Sequence, residues 1–460
     1  MPEASEQVEV VVLGMGVAGE LVAGGLAEAG VSVVGIDHRL VGGECPYWGC
    51  VPTKMMIRAG NLLAEARRIP GMAGAVTVTP DWGPVERRIR EEATDDWDDT
   101  VAVERFEGKG GRFVRGTGRF VSPSVVEVGG RHFEATRGVV IATGTAPAIP
   151  PIPGLDTVEH WTNRDAVTVV DLPRSLIVLG GGAIGVELGQ VFARFGVDVT
   201  IVEALAHLLP PEEPEAGALI TEVLRAEGVK VHTAARAASV RNVGPGDADG
   251  IAVQIEGGPE LIGEQLLVAT GRRTDLAAIA AAAAGLDEHA RFVSVDHRMR
   301  VAEGIWAVGD ITGEGLFTHM AVHQARHALA DLLGRHVPER SHPVPHVTFT
   351  DPEIGSVGLT EAAARDAGLD VRVGIAPVPS SARGWIHKAG NEGFVKLVED
   401  ADRGVLVGAT SAGPAGGEVL AMLTLALDAA IPTAMLREMV YAYPTFHRAV
   451  EDALAALRTG

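Results

Sequence analysis

Cys45 and Cys50 are the only cysteines among 460 residues, and both lie in residues 42–54, GGECPYWGCVPTK. Two sulfurs this close in an otherwise cysteine-free chain are a candidate dithiol, though the pair alone does not outweigh a plainer reading. On a regular helix, residues five apart lie about 140° around the axis and roughly 7.5 Å along it, too far and too divergent for an unstrained disulfide. Pro46 and Gly49 loosen the stretch between the sulfurs and Pro52 suits a first helical turn, so the chain is expected to turn loosely and enter a helix over 51–54. Cys50 then faces the helix N-terminus, where unpaired N–H groups and the macrodipole favour a thiolate. Two plainer readings compete. The pair could be buried, inert thiols, and a metal site would need further ligands, which 42–54 lacks, having no His. No metal is therefore expected.

The elements upstream favour the dithiol. An apolar run, 8–13, leads into Gly14, Gly16 and Gly19, then an Ala-rich helical stretch to 29, then a second run, 31–36, closed by Asp37. This is a complete βαβ unit. Its glycines permit a tight turn and close approach of a pyrophosphate to the helix N-terminus, and its acid can accept hydrogen bonds from a ribose. The design recurs at 175–179, Gly180, Gly182 and Gly185, a helix to 195, and a run closed by Glu203. Two such units imply two dinucleotides. Glu203 suits the free 2′-hydroxyl of NADH and would repel a 2′-phosphate. The next basic side chain is only His207, so NADH is favoured over NADPH. Ala142-Thr143-Gly144 follows a strand over 139–141, and Ala269-Thr270-Gly271-Arg272 echoes it. An apolar strand ends at Asp310, which reads equally as a helix cap, before a helix over 319–333.

The remaining segments position these motifs. Residues 55–110 read as helices, and the charge run 91–99 as a solvated face. Residues 112–128 alternate around Gly116 and Gly118, predicting antiparallel strands. The prolines of 147–153 suit a linker, residues 277–284 a low-complexity helix, and a mixed region begins near 343. A chain 47% hydrophobic with 58 Gly buries large cores and divides into about three domains. Lys plus Arg is 39 and Asp plus Glu 60, a net −21 that argues against nucleic acid or an anionic membrane as partner. No apolar run reaches a membrane span, and MPEASEQVEV has no basic region followed by an apolar core, so a cytoplasmic location is expected. In a reducing cytosol a cysteine pair is more apt to cycle than to staple.

With both nucleotide units, the cysteine stretch, the Gly-Asp strand and the tail MVYAYPTFHRAVEDAL in this order, the chain resembles the pyridine nucleotide-disulfide oxidoreductase family over nearly its whole length. The resemblance implies an α/β fold: two Rossmann-like dinucleotide-binding domains plus a C-terminal α+β dimerisation domain. The FAD-binding domain would be discontinuous, 1–150 and 272–338, the NAD-binding domain 151–271, and the interface domain 339–460. It further implies FAD contacts at Gly14, Gly16, Gly19, Asp37, Gly43, Gly118, Thr143, Gly144 and Asp310. NADH contacts are implied at Gly180, Gly182, Gly185, Glu203 and Gly271, and a Lys54–Glu187 ion pair beside the flavin. By family position Cys50 is the sulfur nearest the ring and Cys45 the outward thiol that attacks a small disulfide or related electrophile.

The family's homodimer shares its active site between subunits, the partner supplying a His oriented by a Glu. Here Tyr443 stands at the His position and Arg448 at the Glu position. His447, about a turn beyond Tyr443 if 445–457 is helical, reads either as a substitute base or as a structural histidine. Branches that pass electrons through a second C-terminal cysteine pair are not expected, because this sequence has none. Three alternatives stand beside the disulfide reductase: a diaphorase-like reductase of quinones, metals or carbonyls without the usual acid, a carboxylase-like branch that also carries an aromatic at the His position, and a non-catalytic flavoprotein subunit.

Overall fold

The structure, a computed structural model, describes residues 5–244 and 250–459. The chain folds into two compact units. The first takes the chain up to Thr53 with Arg87–Ala148 and Arg272–Ser341, and the second takes Lys54–Glu86, Ile149–Gly271 and the chain from His342 onward.

The first unit is built on an eight-stranded sheet whose main path runs Arg300–Ala302, Ile305–Ala307, Arg131–Ile141, Glu6–Leu13, Val33–Asp37, Arg112–Arg115. From Ile305–Ala307 onward along this path the neighbours are parallel. Successive side chains of a strand point to opposite faces, so an unbroken apolar run is what a sheet covered on both sides needs. Val10 and Val12 pack with the helices Val17–Glu28 and Thr318–Leu332 on one face. Val11 and Leu13 pack with Phe120, Val126, Leu276 and Ile279 on the other.

Three expectations need correcting here. Arg112–Arg115 pairs parallel to Val33–Asp37, and only Arg119–Ser122 and Val125–Val128 are antiparallel. The alanine run forms no helix over 277–284 but a single turn, Ala281–Ala284, because Ala281 and Ala284 are buried against the sheet and tertiary packing overrides propensity. The run 91–99 is not wholly solvated: Asp99 is buried, with consequences for the cysteine stretch.

In the second unit a four-stranded parallel sheet runs Lys230–His232, Asp198–Val202, Ser175–Leu179, Gln265–Val268. A three-stranded antiparallel sheet, Ala237–Val243, Gly250–Ile255 and Glu260–Gly263, shares a core with it. A six-stranded antiparallel sheet from His346–Thr348 to Arg458–Thr459 carries the helices Gly416–Asp428 and Arg448–Ala455 on an apolar face.

Buried charge in this unit is paired throughout a small network. Arg194, 3% exposed, donates to Glu227 at 2.6 Å, Asp351 at 2.9 Å and Asn61 at 2.6 Å. Lys396 sits within 3.0 Å of Glu213, Glu215 and Glu361, which together hold its pKa up against the opposing effect of burial. His346 meets buried Glu212 at 2.7 Å, and Ser356 binds the same carboxylate. Burial pushes the His346 imidazole down, but the Glu212 contact outweighs it and the pKa is raised. A raised folded pKa gives stability that is complete below the unfolded value of about 6.5 and lost as pH rises through the folded value. The urea midpoint is therefore expected to fall between about pH 6 and pH 8.5, and His346→Gln to flatten that slope, as equilibrium unfolding at the two pH values would read out.

Candidate active site

In the first unit the leading strand ends at Gly14, whose φ of +93° and whose missing Cβ, 2.4 Å from the Ala142 carbonyl oxygen, leave no room for another residue. Asp37 closes the loop by accepting from Met15 N at 2.7 Å and Arg39 N at 2.8 Å. The cysteine stretch is tied onto this same loop. Gly42 N donates to the Met15 carbonyl at 2.7 Å, and a Cβ on Gly43, φ +71°, would come 2.7 Å from Gly16 Cα. From below, Asp99 accepts from Val41 N at 2.6 Å and from Arg115 at 2.6 Å.

Between the cysteines the chain is not a loose turn but one helical turn, Glu44–Tyr47, that stops at Trp48. Cys45 lies in that turn, half-buried, and Cys50 opens the helix Cys50–Arg68 one residue earlier than the proline pattern suggests. Cys50 is exposed, with its Sγ 3.4 Å from Thr318 Oγ1 at the first residue of another helix. Glu44, next to Cys45, lies 3.5 Å from the Arg272 guanidinium. Arg272 donates to Thr145 Oγ1 at 2.7 Å, and Thr145 donates to Asp310 at 3.0 Å. Burial raises the Asp310 pKa despite Arg272 and Thr145. Gly144 has open space where its Cβ would be, whereas a Cβ on Gly118 would strike Leu13 and Ile36 in the core. Thr143 lies beside Gly14, its Cα 2.9 Å from the Cβ position there.

The second unit repeats the loop. A Cβ on Gly180 would lie 2.4 Å from the Ala269 carbonyl oxygen and one on Gly185 2.0 Å from the Gly180 carbonyl oxygen, while Gly182 and Gly271 face open space. Glu203, 7% exposed, accepts from Gly181 N and Leu205 N, each at 2.7 Å. Lys54 Nζ meets Glu187 at 2.8 Å and lies 4.8 Å from the Phe349 ring, and the Phe349 backbone N–H donates to Glu187 at 2.8 Å. In the tail the helix begins only at Arg448, so His447 sits just before it, at the N-cap position, without a side-chain capping bond. Tyr443 is 71% exposed, with the Arg448 guanidinium 5.5 Å from its ring centre.

Asp99, Arg272, Thr318 and Phe349 were not singled out by their sequence context; only Arg272, directly after the second Ala-Thr-Gly, had a local signal. Among the described residues, no group of three or more His, Cys, Asp or Glu side chains is set to hold a metal, and no helix is long and apolar enough to cross a membrane.

Two glycine loops at strand–helix junctions, each closed by an acid, with only Gly43 Cα, 3.9 Å away, near a Cβ on Gly16 and open space at Gly182, fit two dinucleotides. The cysteine stretch, docked on the first loop through residues 41–43, suits a nucleotide-linked oxidoreductase. The pyridine nucleotide-disulphide oxidoreductase model matches residues 8–328 and its dimerisation domain matches 344–454, so the chain belongs to this family. It is a flavin-dependent oxidoreductase using FAD and a pyridine nucleotide. It is 32% identical to the dihydrolipoyl dehydrogenase of Thermus scotoductus over 98% of this chain and 97% of that one. It is likewise 32% identical to a mercuric reductase of Bacillus cereus, over 91% of this chain and 66% of the other. The Cu(II) complex of the HOCl-induced flavoprotein disulfide reductase RclA from Escherichia coli superposes with a TM-score of 0.85 at 26% identity, covering 98% and 99% of the two chains.

Proposed function

We propose that Cys45 and Cys50 form the redox-active pair of an NADH-dependent reductase of small disulfides. The observation that carries this is the docking of residues 41–43 onto the first glycine loop through Met15, Gly16 and Asp99, which ties the dithiol to a dinucleotide's binding turn. In this reading FAD is held by 1–150 and 272–338, with Gly14, Gly16, Gly19, Asp37, Gly43, Thr143, Gly144 and Asp310 about it and Gly118 keeping the sheet close behind. Residues 151–271 hold NADH through Gly180, Gly182, Gly185, Gly271 and Glu203, and 339–460 join two copies into a homodimer. Bound FAD supplies the two-electron relay between nicotinamide and disulfide.

The protein's own residues then divide the work. The helix N-terminus and the Thr318 hydroxyl stabilise a thiolate at Cys50. Cys45 attacks the acceptor disulfide. Lys54, fixed by Glu187, supplies a cation for the relay. Across the dimer, the Tyr443 phenol donates a hydrogen bond to the reacting group, and His447 is the neighbouring polar side chain. NADH is favoured because both oxygens of Glu203 are already held by backbone N–H groups, fixing a carboxylate where a 2′-phosphate would have to lie.

A second reading has its own support. Tyr443 and Arg448 replace an acid–base dyad, and a structural relative binds Cu(II), which fits direct reduction of a metal ion or quinone. Lipoamide, an aromatic disulfide, a naphthoquinone and Cu(II), each assayed with NADH and NADPH, separate the two. Disulfide turnover with NADH at least tenfold better than NADPH in kcat/KM is expected. Turnover confined to the quinone and Cu(II) would favour the second reading, and a preference for NADPH would contradict the role given to Glu203.

A further inference from the structure

The chain carries 60 acidic residues in 460, yet residues 376–391 and 439–450, 28 positions in all, contain none, where the average would put between three and four. These two segments meet in the second unit. Phe446 joins them, its ring 5.7 Å from that of His387 and 5.4 Å from the Arg383 guanidinium. Arg448 lies 5.5 Å from the Tyr443 ring on the same tail. Lys388 follows His387 and His447 precedes Arg448, so these two segments carry three permanent cations and two histidines in a protein of net charge −21.

A solvated face normally mixes signs, and this one does not. Among the described residues, Glu451 is the carboxylate paired with this cluster, 2.9 Å from Arg448. Arg383 has no carboxylate within ion-pair distance among the described residues. A guanidinium lying over an aromatic ring keeps its N–H edges turned outward, the arrangement that grips a carboxylate or similar oxyanion in two parallel hydrogen bonds.

We infer that the electron acceptor is an anion, and that Arg383 and Arg448 bind its oxyanion group beside Tyr443. The inference rests on the proposed role of the tail as the rim of the acceptor site. It also accounts for Arg at the position where the resemblance expects Glu. An anionic acceptor would be repelled by a carboxylate there and is attracted by a guanidinium.

The test uses the FAD-loaded enzyme and two aromatic disulfides, dianionic 5,5′-dithiobis(2-nitrobenzoate) and uncharged 4,4′-dithiodipyridine. Each takes two electrons and a proton from NADH and one further proton from solvent, its S–S bond breaking to give two thiols. The readout is the ratio of kcat/KM for the dianionic to the neutral disulfide. Arg383→Gln and Arg448→Gln are each expected to lower that ratio about tenfold, Arg383→Lys to keep most of it, and added salt to lower the wild-type ratio. A ratio unmoved in both glutamine variants overturns the inference and leaves the dithiol reading standing. If instead Cys45→Ser still turns over both disulfides, it is the dithiol reading that has failed.

Discussion

Replacing Cys45 with serine is expected to cut NADH-dependent disulfide reduction at least a thousandfold while leaving reduction of the bound flavin by NADH intact. A serine hydroxyl is a poor nucleophile near neutral pH, whereas a thiol is partly ionised there and strongly nucleophilic, and loss of a nucleophile commonly costs several orders of magnitude in kcat. The two half-reactions use different residues. In the proposed function Glu203 and the second glycine loop serve the nicotinamide dinucleotide, and Cys45 serves the acceptor. Steady-state assay with the aromatic disulfide, beside anaerobic bleaching of flavin absorbance by NADH, measures both in one preparation. Retained disulfide turnover would move the chemistry away from the sulfurs.

The second large effect is on stability. Arg194→Met should destabilise the protein by about 3–5 kcal/mol, because removing one partner of a buried ion pair leaves its mates uncompensated. Asp351 would keep Arg68 at 2.7 Å, but among the described residues Glu227 would keep only the Gln190 amide at 3.4 Å. The cost thus falls mainly on Glu227, and the double variant Arg194→Met/Glu227→Gln is expected to recover part of it. Urea midpoints for the wild type and both variants at neutral pH give the answer. A single variant with an unshifted midpoint would mean that water reaches Glu227 and that the network contributes little.

What could be read from the chain before its fold was known follows a physical line. The glycine loops were legible because their requirement is local: a positive φ at Gly14 and Gly180, with the neighbouring carbonyl too close for any Cβ, is written into a few consecutive residues. The acids closing each βαβ unit sit at a fixed distance from those loops for the same reason. The supports of the cysteine stretch were not legible, because they arrive from far along the chain. Thr318 is 268 residues from Cys50, Asp99 is 58 from Val41, and Arg272 is 127 from Thr145. Nothing near Asp99 distinguishes it from the exposed acids that precede it; only its pairing with Val41 and Arg115 does. Ala281–Ala284 shows the converse, since a strong local preference for helix gave way to burial against the sheet.

The tail lies between these cases. Its departure from the family pattern at Tyr443 and Arg448 is visible in sequence, but the contact of Phe446 with Arg383 and His387, which gathers the basic cluster, appears only in the fold.

The claim on which the rest depends is that the two sulfurs exchange an electron pair with the flavin, and counting reducing equivalents tests it most directly. Each of the two groups stores two electrons, so anaerobic titration of the oxidised enzyme should consume two NADH per flavin before reduction is complete, with two new thiols appearing at Cys45 and Cys50. Uptake of a single NADH per flavin, with no new thiols, would contradict the account.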